Sequence, residues 1–237
     1  MVKKVIMPRL IGSEVYSAEM RSRRSVSVHV DGFALYKALL QRRFPEYKWL
    51  DLELLARRLF PHREVTGVKY FTAPLKPLTN DRGVGQRQQT YWRALRTTQV
   101  EIIEGRFLFN KQYLPRHPEE LDTLGRVVTV KVNRPEEKGT DVALASHLLV
   151  DAFEGAADSF AVVTNDSDLV SPMRMLAERG HSLALVSVAG PAYNKAFSEV
   201  GVDAVRQIRR GTLAASQFAP GLVDHLGRDI SKPRTWA

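Results

Sequence analysis

The segment Phe160-Ala161-Val162-Val163-Thr164 constrains the fold more than any other stretch of the chain. It is short, almost wholly apolar, and set between two helical patterns. Alternating polarity would mark a strand with one wet face. A continuous apolar run of this length marks a strand covered on both faces, the usual condition of a parallel sheet. The preceding helical pattern runs from Val142 to Phe153. After a polar turn, Ser171-Pro172 supplies an N-cap and first-turn pair for a helix over 172–180, which Gly180 ends, and Ser182 to Val188 is the next strand. An α-β-α-β order with short links implies a parallel sheet with helices on both sides, a three-layer α/β/α architecture.

Upstream, Ser25 to Val30 alternates, is rich in valine and reads as a strand that runs directly into Asp31-Gly32. A helical pattern follows from Phe33 to Gln41. Asp51 is placed to cap a second helix with Leu52, Leu55 and Leu59 on one face. Val65 to Phe71 is the next strand. Pro74, Pro77, Gly83 and Gly85 mark residues 73–85 as a loop, and Gln86 to Thr98 is a helix. Val100 to Phe109 reads as strand, 110–125 as irregular, and Val127 to Val132 as strand. Beyond Gly211 the periodicity fades, leaving either an extended tail or a packed irregular arm. With 237 residues, 44% of them hydrophobic, the chain can bury one sizeable core. The expected organisation is a basic extension over 1–24, a main domain over 25–210, and a basic arm over 211–237.

Composition removes several classes of function. There is no cysteine, so disulfides and thiolate metal sites are excluded. No stretch approaches the roughly 18 consecutive apolar residues of a membrane helix. Residues 1–24 lack an apolar block of signal-peptide type, so a soluble, cytoplasmic protein with no membrane partner is expected. The formal charge of +9 is unevenly spread. Residues 1–24 and residues 206–237 each carry six basic and two acidic side chains, so the body between them is nearly neutral. Basic ends suit a polyanionic partner such as nucleic acid, and equally serve solubility.

Acids stand where ligands bind in open α/β sheets, beyond the carboxyl ends of strands. Asp31 follows the strand 25–30, Asp166 and Asp168 follow the strand 160–164, and Asp141 opens the helix leading into that strand. Gathered by a fold, they would form an oxygen-rich pocket of the kind Mg²⁺ and Mn²⁺ prefer. Each also has a plainer reading: Asp141 as a helix cap, Asp31-Gly32 as a turn. Ser171-Pro172 already starts the next helix, so Asp166 and Asp168 are surplus to capping, and close like charges are destabilising unless a cation neutralises them.

Three separated motifs carry a resemblance. They are Val30-Asp31-Gly32-Phe33-x-Leu35-Tyr36, Lys138-Gly139-x-Asp141-Val142-x-Leu144-Ala145, and Val162-Val163-Thr164-Asn165-Asp166-Ser167-Asp168-Leu169. In this order they resemble the NYN domain family, the LabA-like branch of the PIN-like nuclease superfamily. Tyr47-Lys48-Trp49-Leu50-Asp51, Val68-Lys69-Tyr70-Phe71-Thr72-Ala73 and Gln88-Gln89-Thr90-Tyr91-x-x-Ala94-Leu95 match as well. The stretches Ile208 to Gln217 and Lys232-Pro233-x-x-Trp236 resemble one bacterial subgroup. The resemblance covers roughly 25–237. It implies a PIN-like fold with a central, mainly parallel sheet, a bound Mg²⁺ or Mn²⁺, and cleavage of RNA. Carried over, Asp31, Asp141, Asp166 and Asp168 are the metal-site and catalytic acids. Asn165 and Ser167 share their turn and are candidates to orient a ligand or water. Two positions depart from the pattern: Ala34 replaces a common asparagine and His147 a common aspartate.

The chemistry expected on this basis is hydrolysis of RNA by a metal-activated water, with no Ser, Cys or His nucleophile. Lys138, Arg82, Arg87, Arg209 and Arg210 are candidates to hold phosphates. Tyr36, Tyr91 and Trp92 could stack on bases, although such spacing more often marks packing. RNA is the expected partner, and a homodimer is left open. The main rival is a catalytically weak RNA- or protein-binding module on the same fold. A phosphatase of the haloacid dehalogenase type needs Asp-x-Asp after the first strand, where Asp31 is followed by Gly32-Phe33. A nucleotide-binding reading lacks a Walker or dinucleotide glycine pattern.

Overall fold

The computed structural model describes residues 24–75, 77, 81–191 and 193–236. The basic stretch 1–23 lies outside the described residues. Six strands form one all-parallel sheet: β1 (Ser25–Asp31), β2 (Glu64–Thr72), β3 (Val100–Glu104), β6 (Ser159–Thr164), β7 (Ser182–Ser187) and β8 (Ala204–Gln207). Their order is β3-β2-β1-β6-β7-β8. The chain thus builds outward from β1 in one direction and then crosses to the other side, which makes the β1/β6 boundary the point where the order reverses. Such switch points leave a crevice at the carboxyl ends of the strands.

Alternation along the strands divides the core into two faces. Val26, Val28 and Val30 of β1, Ala161 and Val163 of β6, and Ala184 and Val186 of β7 point to one side. That side is covered by helix α1 (Gly32–Ala34, continuing as a π-helical segment over Leu35–Gln41), α2 (Leu52–Leu59) and α3 (Val84–Leu95). Phe160 and Val162 of β6 and Leu183 and Leu185 of β7 point to the other, against α4 (Thr140–Phe153) and α5 (Val170–Ala177). This is the three-layer α/β/α arrangement that the strand pattern implies, and it agrees with the PIN-like fold that the resemblance implies.

The structure departs from the sequence reading in two places and decides a third that it left open. The strand expected over 100–109 is two strands. β3 ends at Glu104, and after Gly105 the chain enters β4 (Arg106–Pro115), which pairs antiparallel with β5 (Thr129–Lys138) as a separate ribbon. Residues 110–115, read as irregular, belong to that ribbon. Second, the helix after β6 does not start at Ser171-Pro172. A 3-10 turn over Ser167–Leu169 leads straight into α5, and its cap is Asp166, whose side chain accepts from the Asp168 N–H at 3.0 Å. Pro172 sits in the first turn of α5, where its missing N–H leaves no bond unmade. Third, where the sequence left an extended tail or a packed arm open, the residues beyond Gly211 pack on the body. Phe218, Tyr91 and Trp236 surround Trp49, which is 1% exposed, and the Trp49 indole donates to the Ala219 carbonyl at 2.8 Å.

Candidate active site at the carboxyl edge of the sheet

Register brings the first two side chains of the site together. The β1/β6 ladder pairs Val28 with Ala161, His29 with Val162 and Val30 with Val163. One step further, Asp31 and Thr164 face each other on the side that α4 covers. The Thr164 hydroxyl donates to Asp31 Oδ2 at 2.9 Å and accepts the Asp166 N–H at 3.0 Å. Thr164, fully buried, therefore ties the ends of both central strands into one unit. The other carboxylate oxygen of Asp31 accepts the Ala34 N–H at 2.9 Å, capping α1. At position 34 only the main chain serves the acid, so alanine is sufficient there.

Gly32 makes this corner achievable. A Cβ on it would lie 2.6 Å from both the Phe71 carbonyl oxygen and the Tyr70 ring, so any side chain would push α1 away from β2. A second close approach sets the entry to α4. Gly105 donates to the Thr72 carbonyl at 2.7 Å, and a Cβ there would stand 2.9 Å from Thr140 Cγ2. The base of the ribbon thus abuts the first turn of α4, which carries Asp141.

The electrostatics report a shared anionic edge. Burial raises the Asp31 carboxyl above its ordinary value, opposed by its hydrogen bonds from Ala34 and Thr164, and the Asp166 charge adds to the rise. Burial and the charges of Asp31, Asp166 and Asp168 push Asp141 up to about 6. Among the described residues none of the four acids is ion-paired to a Lys, Arg or His. Four hard oxygen donors repelling one another fit a divalent cation in their chemistry. No group of three or more His, Asp or Glu among the described residues stands close enough to form a metal cage by itself. Mg²⁺ does not need one, since it is commonly held by one or two carboxylates with waters and substrate phosphates completing its shell. The donor set therefore fits an open site.

The remaining candidates divide. Asn165 Oδ1 accepts the Asn194 N–H at 2.8 Å and anchors the turn to the β7–β8 connection, while Ser167 is exposed beside it. Lys138 closes β5, three residues before Asp141. Arg82 is exposed in the segment leaving β2, and Arg87 is ion-paired to Asp81. Arg209 and Arg210 leave the carboxyl end of β8, with Arg210 3.5 Å from Glu46. Tyr91 and Trp92 are core residues at 6% and 1% exposure, and the Tyr91 hydroxyl donates to the Leu50 carbonyl, so neither offers a face to a base. His147 stacks edge-on against Phe71, with ring centroids 5.6 Å apart.

Sequence reasoning missed Thr164 and a buried charge cluster behind the acids. Asp151, near the end of α4, accepts from His29 Nε2 at 2.8 Å and from Lys69 Nζ at 2.7 Å. His29 and Lys69 are ladder partners on β1 and β2. A polar residue amid the alternating valines of β1 was the available signal.

A six-stranded parallel sheet with acids at its switch point defines a nuclease-like fold of the PIN-like superfamily. Residues 25–206 match the NYN domain model, and the chain belongs to that family. It is 28% identical over 240 aligned positions to the 6-hydroxy-3-succinoylpyridine 3-monooxygenase HspA of Pseudomonas putida (strain DSM 28022 / S16), covering 88% of this chain and 74% of that protein. Its fold is similar to that of a protein of unknown function, VPA0982, from Vibrio parahaemolyticus RIMD 2210633. That match has a TM-score of 0.50 and 14% identity, and covers 79% of this chain and 94% of the other. Among the described residues no helix is long and apolar enough to cross a membrane.

Proposed function

We propose that this protein is a cytoplasmic ribonuclease that hydrolyses RNA phosphodiester bonds with a divalent cation, Mg²⁺ or Mn²⁺, held by Asp31, Asp141, Asp166 and Asp168. The observation that supports the reading is that the four acids lie along the carboxyl edge of the sheet, where the charges of Asp31, Asp166 and Asp168 help raise Asp141 to about 6, with no described cation paired to them. When bound, such an ion lowers the pKa of a coordinated water and offsets phosphate charge. The chain's own residues do the rest. Thr164 holds Asp31 and the Asp166 turn in fixed relation. Asn165 fixes the turn from the other side, and Ser167, exposed in the same turn, orients a ligand or water. Lys138, Arg82, Arg87, Arg209 and Arg210 supply phosphate contacts around the edge.

The test has two readouts. Single-stranded and structured RNA are incubated with Mg²⁺ or Mn²⁺, beside EDTA and Asp166→Asn controls. Cleavage is expected to fall at least 100-fold in both controls, consistent with losing a stabiliser of transition-state charge. Cleavage that survives both would sink the metal reading. Independently of activity, Mn²⁺ at ten times its Kd should raise Tm by about 3 °C or more in the wild type. That shift should vanish in Asp31→Asn. Binding of RNA without cleavage would support the non-catalytic module instead.

A second reading comes from the similarity to the Pseudomonas putida protein, whose name describes oxygenation of a substituted pyridine. On that reading the same edge faces a small aromatic substrate. Oxygen uptake with 6-hydroxy-3-succinoylpyridine and a nicotinamide reductant would favour it, and no uptake beside metal-dependent RNA cleavage would exclude it.

A further inference from the structure

Apart from Lys138 at its base, the β4–β5 ribbon has no part in the chemistry assigned above. Its ten ladder pairs run from Arg106/Lys138 to Pro115/Thr129, about 33 Å at the usual rise per residue. It is rooted at the carboxyl edge by Gly105 on one strand and by Gly139 and the first turn of α4 on the other. From Arg106 to Lys138 no described side chain is buried. A two-stranded hairpin with no buried side chain among its described residues is marginally stable in water, so an arm of this length calls for a partner.

Charge and chemistry select the partner. The two strands of the ribbon carry five basic residues against two acidic ones. At its tip the cations are neutralised internally, Arg116 by Glu120 at 2.7 Å and Arg126 by Asp122 at 2.9 Å. Along the stem, Lys111 and Lys131 form no ion pair with a described residue. Pairing and alternation place Lys111, Tyr113 and Lys131 on one face. Tyr113 is 65% exposed, and Lys131 Nζ lies 5.6 Å from its ring centroid. An exposed aromatic ring flanked by two lysines that pair with no described acid matches a base stacked beside backbone phosphates. A ribbon can enter the major groove of B-form DNA, but that groove is too deep and narrow in an RNA duplex, so a single strand is the RNA form that fits. Lys111 stands roughly 17 Å out from the base of the ribbon, beyond the ~10 Å over which the carboxylate edge would repel phosphate at ordinary salt.

We propose that the face bearing Lys111, Tyr113 and Lys131 is a single-strand RNA arm that delivers its strand to the carboxylate edge. The proposal rests on RNA being the substrate of that edge, but its test separates the two. Fluorescence anisotropy is measured with an end-labelled oligouridylate of about 20 nucleotides and the full chain in EDTA, so that cleavage plays no part. Tyr113→Ala is expected to weaken binding about tenfold, with Tyr113→Phe close to wild type. Lys111→Gln/Lys131→Gln should weaken it by a similar factor and lower the salt slope, log Kobs against log salt, by about 1.4. All variants should melt within a few degrees of the wild type, because the altered side chains are exposed. Unchanged affinity and slope in both variants would overturn the proposal, even if the protein cleaves RNA. Loss of binding in these variants, beside no cleavage under any metal, would leave the arm standing and remove the nuclease reading. Leu114→Ser/Val130→Ser tests the opposite face of the ribbon. If it alone changes the mass in solution while the lysine and tyrosine variants bind RNA normally, the ribbon joins copies of this chain, and the RNA assignment is wrong.

Discussion

Asp141 carries the largest electrostatic disadvantage at the carboxyl edge. Burial and three neighbouring carboxylates raise it to about 6 in the folded protein, so its ionised form at neutral pH disfavours the native state. Because the side chain is half exposed, screening reduces the effect to about 1 kcal/mol. Without metal, Asp141→Asn should therefore raise Tm by roughly 2–4 °C while abolishing the Mn²⁺ response. A lower Tm in a thermal melt without metal would show that Asp141 serves the fold and not an ion. Thr164→Val tests the opposite kind of residue. It keeps the shape but removes the hydroxyl that serves Asp31 and the Asp166 N–H, leaving a buried carboxylate short of a donor. Urea unfolding should show a loss of about 1–3 kcal/mol, with Thr164→Ser losing less. These two residues differ in how readable they were. An aspartate beside a strand end is visible in sequence because nothing apolar explains it. Thr164 closes an apolar strand as an unremarkable β-branched residue, and only the β1/β6 register reveals its hydroxyl's partners. Asp166 was misjudged for a local reason: Ser171-Pro172 spells a helix start, but the chain begins to turn four residues earlier, at Ser167, and uses Asp166 itself as the cap.

Element α4 is held to the sheet by charge as well as by Leu144, Leu148 and Ala152. Asp151 reaches back from its last turns to His29 and Lys69, which fixes the helix about 15 Å from Asp141 along the same axis. Burial alone would raise Asp151, but hydrogen bonds from His29 and Lys69 more than reverse this and bring it to about 2. Burial lowers His29, which stays neutral, with Nε2 donating to Asp151 and Nδ1 unpartnered. Both folded values lie below the unfolded ones, so both groups favour the native state at neutral pH. The His29 share is lost first, as pH falls below about 6.5, and the Asp151 share follows between about 4 and 2. Stability measured by denaturant from pH 7 to 3 should decline along this course. Asp151→Asn should flatten the lower part and remove roughly 1–2 kcal/mol at pH 7. An unchanged lower limb would show that Asp151 does not anchor α4. At this scale the sequence exposed the helices and central strands, whose periodicity is set by burial. The ribbon was split wrongly because, with no buried face among its described residues, little imposes an alternating pattern on it.

For the whole molecule, net charge says less than its placement. The C-terminal segment is basic by count, yet Asp224 gathers Arg228 at 2.9 Å and Arg93 of α3 at 3.0 Å, so part of that charge is spent on tertiary structure. The fading periodicity past Gly211 allowed either a loose tail or a packed arm, since irregular segments pack through scattered anchors that no repeat announces. The anchors are Leu213, Phe218 and Ile230, at 0%, 8% and 1% exposure, with Trp236 closing over Trp49 and Tyr91. Each buried apolar side chain contributes about 1.5–3 kcal/mol, and together they approach the ~5–15 kcal/mol by which a domain is stable at all. Removing residues 211–237 should therefore abolish cooperative thermal unfolding or lower Tm by more than 10 °C. It should also shift tryptophan emission to the red as Trp49 meets water. The milder Trp236→Ala should keep the cooperative transition and reproduce only part of the shift. A truncated chain that melts cooperatively within a few degrees of the full one would mean that residues 25–210 fold alone and that the arm is an attachment. The layer of α1, α2 and α3 would then have to shield Trp49 without it, which the ring contacts of Phe218 and Trp236 argue against.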